Sequence, residues 1–146
     1  MSNNKIKFKI VTPERIVYES EIDQVTLPAQ EGEITVLPNH IPLISVLMPG
    51  ELIAKNDSEE IAMAVSGGIV EVRSNEITIL ADTAERAEEI DLKRAEEARE
   101  RAEKLKDEKI RSDETQYATA AAIFEKNLAR IKVARKHLTR RGMKIE

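Results

Sequence analysis

Glycine and proline are confined almost entirely to the first half of this 146-residue chain. All five prolines and four of the five glycines lie in residues 1–68, and the 73 residues from Ile69 to Arg141 contain neither type. Charge follows the same division, because 32 of the 50 charged residues lie in residues 82–146. Since glycine and proline favour turns and interrupt helices, we predict a turn-rich compact part followed by a long, charged helical part.

Several classes of chemistry have little support in this composition. The chain has no cysteine, and its two histidines, His40 and His137, are far apart in sequence. It therefore offers no disulfide framework, no thiolate nucleophile and no metal-ligand spacing. It also lacks a phosphate-binding loop motif and a nucleophile-elbow motif. We expect no catalytic residues, no metal and no required cofactor.

The chain carries no recognisable membrane or targeting signal. Its first residues lack both the apolar stretch of a signal peptide and the composition of a transit peptide. No apolar run approaches the roughly 18 residues of a membrane span. We therefore expect only indirect contact with a membrane, and the absence of cysteine suits a reducing compartment.

The first half alternates between polar and apolar residues. Three lysines interleave with Ile6, Phe8 and Ile10, and further strand-like runs cover residues 22–27, 61–65, 69–72 and 76–80. A period of two is typical of half-buried strands. The glycine pair at 67 and 68 is interpreted as a hairpin turn, since glycine reaches positive φ without steric cost. Short strands separated by turns predict an antiparallel sandwich or barrel over residues 1–84.

Helical periodicity replaces this alternation in residues 85–146. The apolar residues there form two stripes with spacings of three or four residues, which places each stripe on one face of a helix. The first stripe is Ala95, Ala98, Ala102 and Leu105, and the second is Ala121, Phe124, Leu128, Ile131 and Leu138. We predict an α+β chain that ends in an antiparallel two-helix hairpin.

Polar residues mark the ends of these helices. Asp91 is a candidate N-cap for the first helix, and Asp113 with Gln116 is spaced like a capping box at the start of the second. Residues 111–114 supply the predicted turn between them. Because alanine lines most of the first stripe, the packed helices would bury little apolar area at roughly 25 cal/mol per Å². The hairpin should be only marginally stable alone, and able to open.

One segment of the first half is unusually specific. Residues 31–43 read EGEITVLPNHIPL, which resembles the signature of the epsilon subunits of F-type ATP synthases, approximately G-E-x-G-x-L-P-x-H-x-P-L. Thr35 stands where that family often has glycine. Residues 65–72, VSGGIVEV, are similar to a second common stretch of the family. The resemblance, taken with the helical half, covers nearly the whole chain.

This resemblance implies an amino-terminal β-sandwich and a carboxy-terminal hairpin that either rests on the sandwich or extends into the catalytic head to block ATP hydrolysis. It implies three sets of partners: the gamma subunit of the central stalk, the c subunits of the membrane rotor ring, and the catalytic alpha and beta subunits. The loop of His40 would face the gamma subunit and the loop of Glu33 the rotor ring. On the residues alone, His40 could equally hydrogen-bond its own turn.

The end of the chain is strongly basic. Residues 126–146 contain eight bases and one acid, whereas residues 82–114 contain 13 acids and nine bases. This pattern fits a solvated helix face or docking onto an acidic surface, which the resemblance identifies with the catalytic subunits. The bases expected at that interface are Arg130, Arg135, Lys136, Arg140 and Arg141. Nucleic acid is disfavoured, because the chain is acidic overall and has few aromatic residues nearby.

Residues 90–95, IDLKRA, fit the I-D-x-x-R-A pattern associated with ATP binding in bacterial epsilon subunits. The resemblance therefore implies a regulatory ATP site formed by Glu85, Ile90, Asp91, Arg94, Ala95, Arg101, Lys126 and Arg130. A guanidinium can pair with phosphate oxygens, and carboxylates can accept from adenine or ribose. The alternative is structural, with Asp91 capping the helix and Arg94 or Arg101 in local ion pairs.

The resemblance implies a non-catalytic epsilon subunit that couples proton-driven rotation to ATP synthesis and inhibits ATP hydrolysis. We expect it at the cytoplasmic face of a bacterial plasma membrane, as a peripheral component. The alternative is a nucleotide-responsive adaptor outside the ATP synthase, which would not copurify with stalk and catalytic subunits. An enzyme is the weakest alternative.

Overall fold

A computed structural model of the chain describes residues 4–109 and 113–142. Ten strands are followed by a short 3₁₀ turn at Ala87–Glu89 and by two helices. The strands are β1 (Ile6–Val11), β2 (Ile16–Ile22), β3 (Gln24–Ala29), β4 (Gly32–Val36), β5 (Leu43–Leu47), β6 (Gly50–Asn56), β7 (Glu59–Val65), β8 (Gly68–Arg73), β9 (Glu76–Ala81) and β10 (Ala84–Arg86). The helices are α1 (Leu92–Lys109) and α2 (Glu114–Arg140).

The strands form the two layers of a β-sandwich. One layer has the order β10-β7-β6-β3-β4, and the other has the order β5-β8-β9-β1-β2. A single bridge between Ala29 and Leu47 joins β3 to β5. Apolar side chains from both layers, such as Phe8, Leu52 and Ile79, fill the space between them and are fully buried. The predicted fold class is confirmed, with the addition that β1 and β9 pair in parallel.

The interpretation of Gly67 and Gly68 as a hairpin turn is wrong. β7 pairs with β6 and β10, whereas β8 pairs with β5 and β9, so the two glycines connect the two layers. Gly68 has φ +138°, and a Cβ atom there would overlap the backbone oxygen of Leu80. The crossover requires glycine at this position because the chain passes directly against β9.

The single strand expected over residues 22–27 is also corrected. It is divided at Asp23, where β2 ends and β3 begins. This residue forms a corner between the layers, since β2 pairs with β1 in one layer and β3 pairs with β6 in the other. Alternation of apolar residues continues across the corner and therefore does not reveal it in the sequence.

Capping residues begin both helices as predicted. Asp91 Oδ1 accepts a hydrogen bond from the Arg94 amide at 3.1 Å. Asp113 Oδ1 accepts from the amides of Thr115 at 2.9 Å and Gln116 at 3.3 Å. These bonds satisfy amides that have no partner within a helix. The predicted turn at residues 111 and 112 lies outside the described residues.

The two helices form an antiparallel pair, although their contact faces differ in part from the predicted stripes. Ala95, Ala102 and Ile131 are buried as expected, whereas Leu105 is 47% exposed and Leu128 is 40% exposed. On α1, Ala95 and Ala102 are buried, and Arg99 and Lys106 are partly buried at the same spacing, with Lys106 Nζ 5.2 Å from the centroid of the Phe124 ring of α2. The predicted stripes counted only apolar residue types, and they therefore omitted Arg99 and Lys106, whose side chains also have apolar stems.

Candidate functional site

A small apolar contact holds the hairpin on the outer face of β6 and β7. Val133 of α2 is fully buried and packs against Ala62, Ala64 and Ala87, with Ile90 partly buried beside them. Alanine side chains leave a shallow hole on the sandwich, and Val133 fills it. This contact buries few apolar atoms, so it supplies limited stabilisation at roughly 25 cal/mol per Å².

Three ion pairs join α2 to carboxylates on the same face of the sandwich. The pairs are Arg130 Nε with Glu85 Oε2 at 2.6 Å, Lys136 Nζ with Glu51 Oε1 at 2.7 Å, and Arg140 Nη2 with Glu60 Oε1 at 3.2 Å. Glu51 and Glu85 are both cross-strand neighbours of Ala64. Two carboxylates therefore flank the alanine hole that receives Val133.

Arg130 is the most completely bound of these bases. Its Nε and Nη2 donate to the two oxygens of Glu85, and its Nη1 donates to Asn127 Oδ1 at 2.8 Å. Asn127 is buried and donates in turn to the Ile123 carbonyl at 2.8 Å. The fork of the guanidinium matches a carboxylate geometrically, and Asn127 fixes its orientation.

The structure brings part of the predicted nucleotide-binding set together. Glu85 contacts Arg130, and it also lines an open polar cleft of about 330 Å³ together with Lys126. The remaining walls of this cleft come from the β1–β2 turn and from residues 82–84. Three carboxylates (Glu14, Asp82 and Glu85), the Arg15 guanidinium and the Lys126 ammonium thus line one opening between the sandwich and α2, and Arg130 lies behind Glu85.

Ile90, Asp91, Arg94 and Ala95 lie towards the other end of the hairpin. Arg101 lies level with Arg130, because Glu96 contacts Arg135 and Lys106 contacts the Phe124 ring. Ile90 is partly buried, Ala95 is fully buried, and Asp91, Arg94 and Arg101 are exposed. Glu96 of α1 pairs with Arg135 of α2 at 2.7 Å, so the first turn of α1 lies beside the end of α2. Lys126 precedes Arg135 in α2 by roughly 14 Å at 1.5 Å per residue. Arg94 and Lys126 are therefore not in contact.

Local ion pairs do not account for the two exposed arginines of α1. Among the described residues, neither Arg94 nor Arg101 forms a salt bridge, whereas Lys104 pairs with Glu100 in the same helix. Asp91 is occupied as the helix cap. The structural alternative therefore holds for Asp91 and lacks support for the arginines.

The residues predicted to meet other subunits lie in three places. Glu33 is exposed in β4, next to the β3–β4 turn. His40 is partly exposed, and its Nδ1 lies 2.7 Å from the Ile41 carbonyl oxygen, which is a contact within its own turn. Lys136 and Arg140 bind the sandwich and Arg135 binds α1, while Arg141 is exposed at the end of α2.

An apolar row crosses the outer face of the other layer, opposite the hairpin, and sequence reasoning missed it. Its members are register neighbours on five adjacent strands, and four of them are exposed, including Leu80 at 55%. The apolar row consists of Val46, Ile69, Leu80, Val11 and Ile16. The sequence does contain a sign of this row. Near the ends of these strands the polar–apolar alternation is lost, because outward and inward positions are both apolar, as at Ile79 and Leu80.

These observations define a class of protein with two interaction surfaces: a sandwich with an exposed apolar row on one face and a docked helical hairpin on the other. The described helices include none that is long and apolar enough to cross a membrane. No cluster of metal-ligating side chains occurs within the described residues.

Comparison with known proteins identifies the family. Residues 5–87 match the family model of the ATP synthase delta/epsilon chain β-sandwich domain, and residues 88–135 match that of its long α-helix domain. The chain is 46% identical over 132 residues to the ATP synthase epsilon chain of Dehalococcoides mccartyi, which covers 90% of this chain and 94% of the relative. It is 42% identical over 136 residues to the epsilon chain of Chloroflexus aggregans, covering 93% and 96%. The chain belongs to the delta/epsilon chain family of ATP synthases.

Solved structures show the same fold at low sequence identity. A chain of the Euglena gracilis mitochondrial ATP synthase, in an OSCP/F1/c-ring structure, matches with a TM-score of 0.76 and 22% identity, covering 90% of this chain and 81% of that chain. A chain of the Tetrahymena thermophila central stalk and c-ring matches with a TM-score of 0.58 and 16% identity, covering 89% and 96%.

Proposed function

We propose that this chain works as the epsilon subunit in the central stalk of an F-type ATP synthase, where it couples proton-driven rotation to ATP synthesis. Its partners are the gamma subunit, the c subunits of the rotor ring and the catalytic alpha and beta subunits. It catalyses no reaction itself and lies at the cytoplasmic face of the bacterial plasma membrane. The two family matches and the epsilon-chain names of bacterial relatives support this assignment.

The apolar row is the observation that carries the stalk function. Exposed apolar residues that are contiguous across several strands mark interaction surfaces. The row lies on the layer that the hairpin leaves uncovered, so a partner can bind there whether or not the hairpin is docked. We assign this face to the gamma subunit and the exposed loop of Glu33 to the rotor ring.

Copurification with the gamma subunit tests this assignment. Leu80→Asp places a charge in the centre of the apolar row and should abolish binding. Thr78→Asp is the matched control, because Thr78 lies on the same face of the same strand, beside Lys9 and Glu71, and this variant should retain binding. Equal binding by both variants would contradict the assignment of the apolar row to gamma. No binding by the unaltered chain to gamma from the same organism would contradict the stalk function and favour an adaptor outside the ATP synthase.

The hairpin serves as a brake on ATP hydrolysis in this proposal. Its contact with the sandwich combines one buried valine with a few ion pairs, so release requires little apolar surface to be exposed. A released hairpin presents the bases of α2 to an acidic surface on the catalytic subunits. Charge complementarity of this kind speeds encounter and fixes register.

ATP is the regulatory ligand in the same proposal. Lys126 would bind phosphate oxygens at the cleft beside Glu85, where Arg130, already bound to Glu85 and Asn127, adds positive charge nearby. Arg94 and Asp91 would hold the other end of an extended nucleotide along the hairpin. Because Arg94 lies on α1 and Lys126 on α2, bound ATP would have to contact both helices and Glu85 of the sandwich. These three groups lie together only when the hairpin is docked. A ligand that binds one state preferentially shifts the equilibrium towards that state. ATP would therefore keep the hairpin docked on the sandwich, where it does not inhibit hydrolysis.

A further inference from the structure

The docked hairpin places three of its bases against carboxylates of its own sandwich. Arg130, Lys136 and Arg140 lie on the second half of α2, and within residues 4–109 and 113–142 each has a single acidic partner at 2.6 to 3.2 Å. The partners belong to β10, β6 and β7, so the three bonds hold α2 across the outer face of three adjacent strands of that layer. We refer to Glu51, Glu60 and Glu85 as the acidic latch.

Glu51 is the most buried carboxylate of the acidic latch, so its ion pair with Lys136 has the largest effect on docking. Its side chain is only 9% exposed, Oε1 accepts from Lys136 at 2.7 Å, and Oε2 is buried without a hydrogen-bond partner among the described residues. A buried carboxylate whose charged partner is removed becomes strongly destabilising. Lys136 therefore stabilises the docked state beyond the attraction of an exposed ion pair.

The ion pairs matter because the apolar part of the contact is small. Val133 in its alanine hole is the one α2 residue of the buried cluster that joins the hairpin to the outer face. With so little buried apolar area, a change of one ion pair is a large fraction of the docking free energy.

We propose that the acidic latch is an autoinhibitory contact, in which the sandwich's own carboxylates compete with an acidic partner for the bases of α2. This inference rests on the proposed brake function for the identity of the partner. The hairpin engages an external acidic surface only after its bonds to the latch are broken, so the strength of the latch sets how readily the brake is applied.

Docking is measured on the isolated full-length chain by energy transfer between two fluorophores. The chain has no native cysteine, so Ser58→Cys and Thr139→Cys place one label beside β7 and one near the end of α2. Lys136→Gln should increase the undocked population on the order of tenfold, since it leaves Glu51 buried without its base. Lys132→Gln is the matched control, one turn away on the exposed face of α2, and should change nothing.

A neutral double variant tests whether Lys136 acts through Glu51. Glu51→Gln combined with Lys136→Gln removes the buried charge and should dock better than Lys136→Gln alone, as coupled neighbours do in a mutant cycle. Equal undocking by Lys136→Gln and Lys132→Gln would overturn the latch. A double variant as undocked as Lys136→Gln would overturn the role of Glu51.

Competition is tested with a variant that keeps every base of α2. Glu60→Gln weakens the latch and should lower the concentration of chain that half-inhibits ATP hydrolysis about two- to fivefold, whereas Glu59→Gln, its neighbour on the other face of β7, should not. Reduced docking without stronger inhibition would overturn the competition while leaving the brake intact. If neither the unaltered chain nor any variant inhibits, the brake function fails, and the docking results still decide whether the latch exists.

Discussion

Arg130 and Glu85 form a two-point contact across 45 residues of sequence, with Nε 2.6 Å from Oε2 and Nη2 3.3 Å from Oε1. The contact ties α2 to β10, the short strand that leads into the hairpin. Asn127 holds the third guanidinium nitrogen at 2.8 Å. The arginine is thereby fixed before any ligand arrives.

Replacing Arg130 should weaken hairpin docking. Arg130→Ala removes charged hydrogen bonds to Glu85 and leaves Asn127 without one partner, which corresponds to about 1–3 kcal/mol. Arg130→Lys should recover only part of this, because an ammonium cannot make the two-point contact. Urea unfolding followed by helix content measures the change, with Lys132→Ala as the exposed control. A loss of the same size in the control would refute a specific role for the pair.

Gly68→Ala should destabilise the sandwich by more than about 3 kcal/mol. The new Cβ atom would overlap the Leu80 carbonyl oxygen, and the positive φ adds backbone strain. Gly32→Ala is the matched control, since Gly32 has φ +129° and an added methyl group there would meet nothing within 4 Å. It should lose only the backbone-strain term, about 1–3 kcal/mol. Thermal unfolding of both variants decides the matter, and similar losses would show that the close approach at Gly68 is unimportant.

The ion pairs at the Asp23 corner make the free energy of unfolding depend on pH. Hydrogen bonds from Lys5 and from the Asp57 amide lower the pKa of Asp23 below its usual 3.8, while Asp23 and Asp57 raise the pKa of Lys5 above 10.5. A lowered carboxyl pKa gives stability that is present above the unfolded pKa and lost as pH falls through the folded one. For the raised lysine pKa, stability is present below 10.5 and lost as pH rises through the folded value.

Unfolding free energies from about pH 6 to about pH 2 test the acid limb. The unaltered chain should be more stable than Asp23→Asn at the upper end, and the difference should shrink as Asp23 becomes protonated. Asp57→Asn leaves the short Lys5–Asp23 contact at 2.7 Å in place. It should therefore keep most of the stability that Asp23→Asn loses at the upper end. A gap between the unaltered chain and Asp23→Asn that does not change with pH would mean that the Asp23 charge is not responsible.

Periodicity and capping predicted most of the architecture, and the failures have physical causes. Strand alternation identified β1, β7, β8 and β9, and the short polar side chains of Asp91 and Asp113 located the helix starts. The pairing of strands could not be predicted, because the layer that β8 joins after Gly67 is determined by contacts with residues distant in sequence. The ion pairs of Glu51 and Glu60 were equally hidden, since their bases lie about 80 residues further along the chain.

ATP binding to the isolated chain is predicted to require both ends of the proposed site. Arg94→Ala should abolish the calorimetric signal, because it removes an exposed guanidinium available for phosphate or ribose. Lys93→Ala, one residue earlier and outside the proposed set, should bind as the unaltered chain does. Binding that survives Arg94→Ala would exclude this site, whatever the outcome for the brake.

The most direct test of the central claim compares the whole chain with one that ends after Ile90, which keeps β10 and the sandwich. Each is added to an ATP synthase catalytic head from the same organism that has been depleted of epsilon, and ATP hydrolysis is followed. We predict that both forms bind through the gamma subunit and that only the whole chain inhibits hydrolysis. Equal inhibition by the two forms would contradict the hairpin brake, and failure of both to bind would contradict the stalk function.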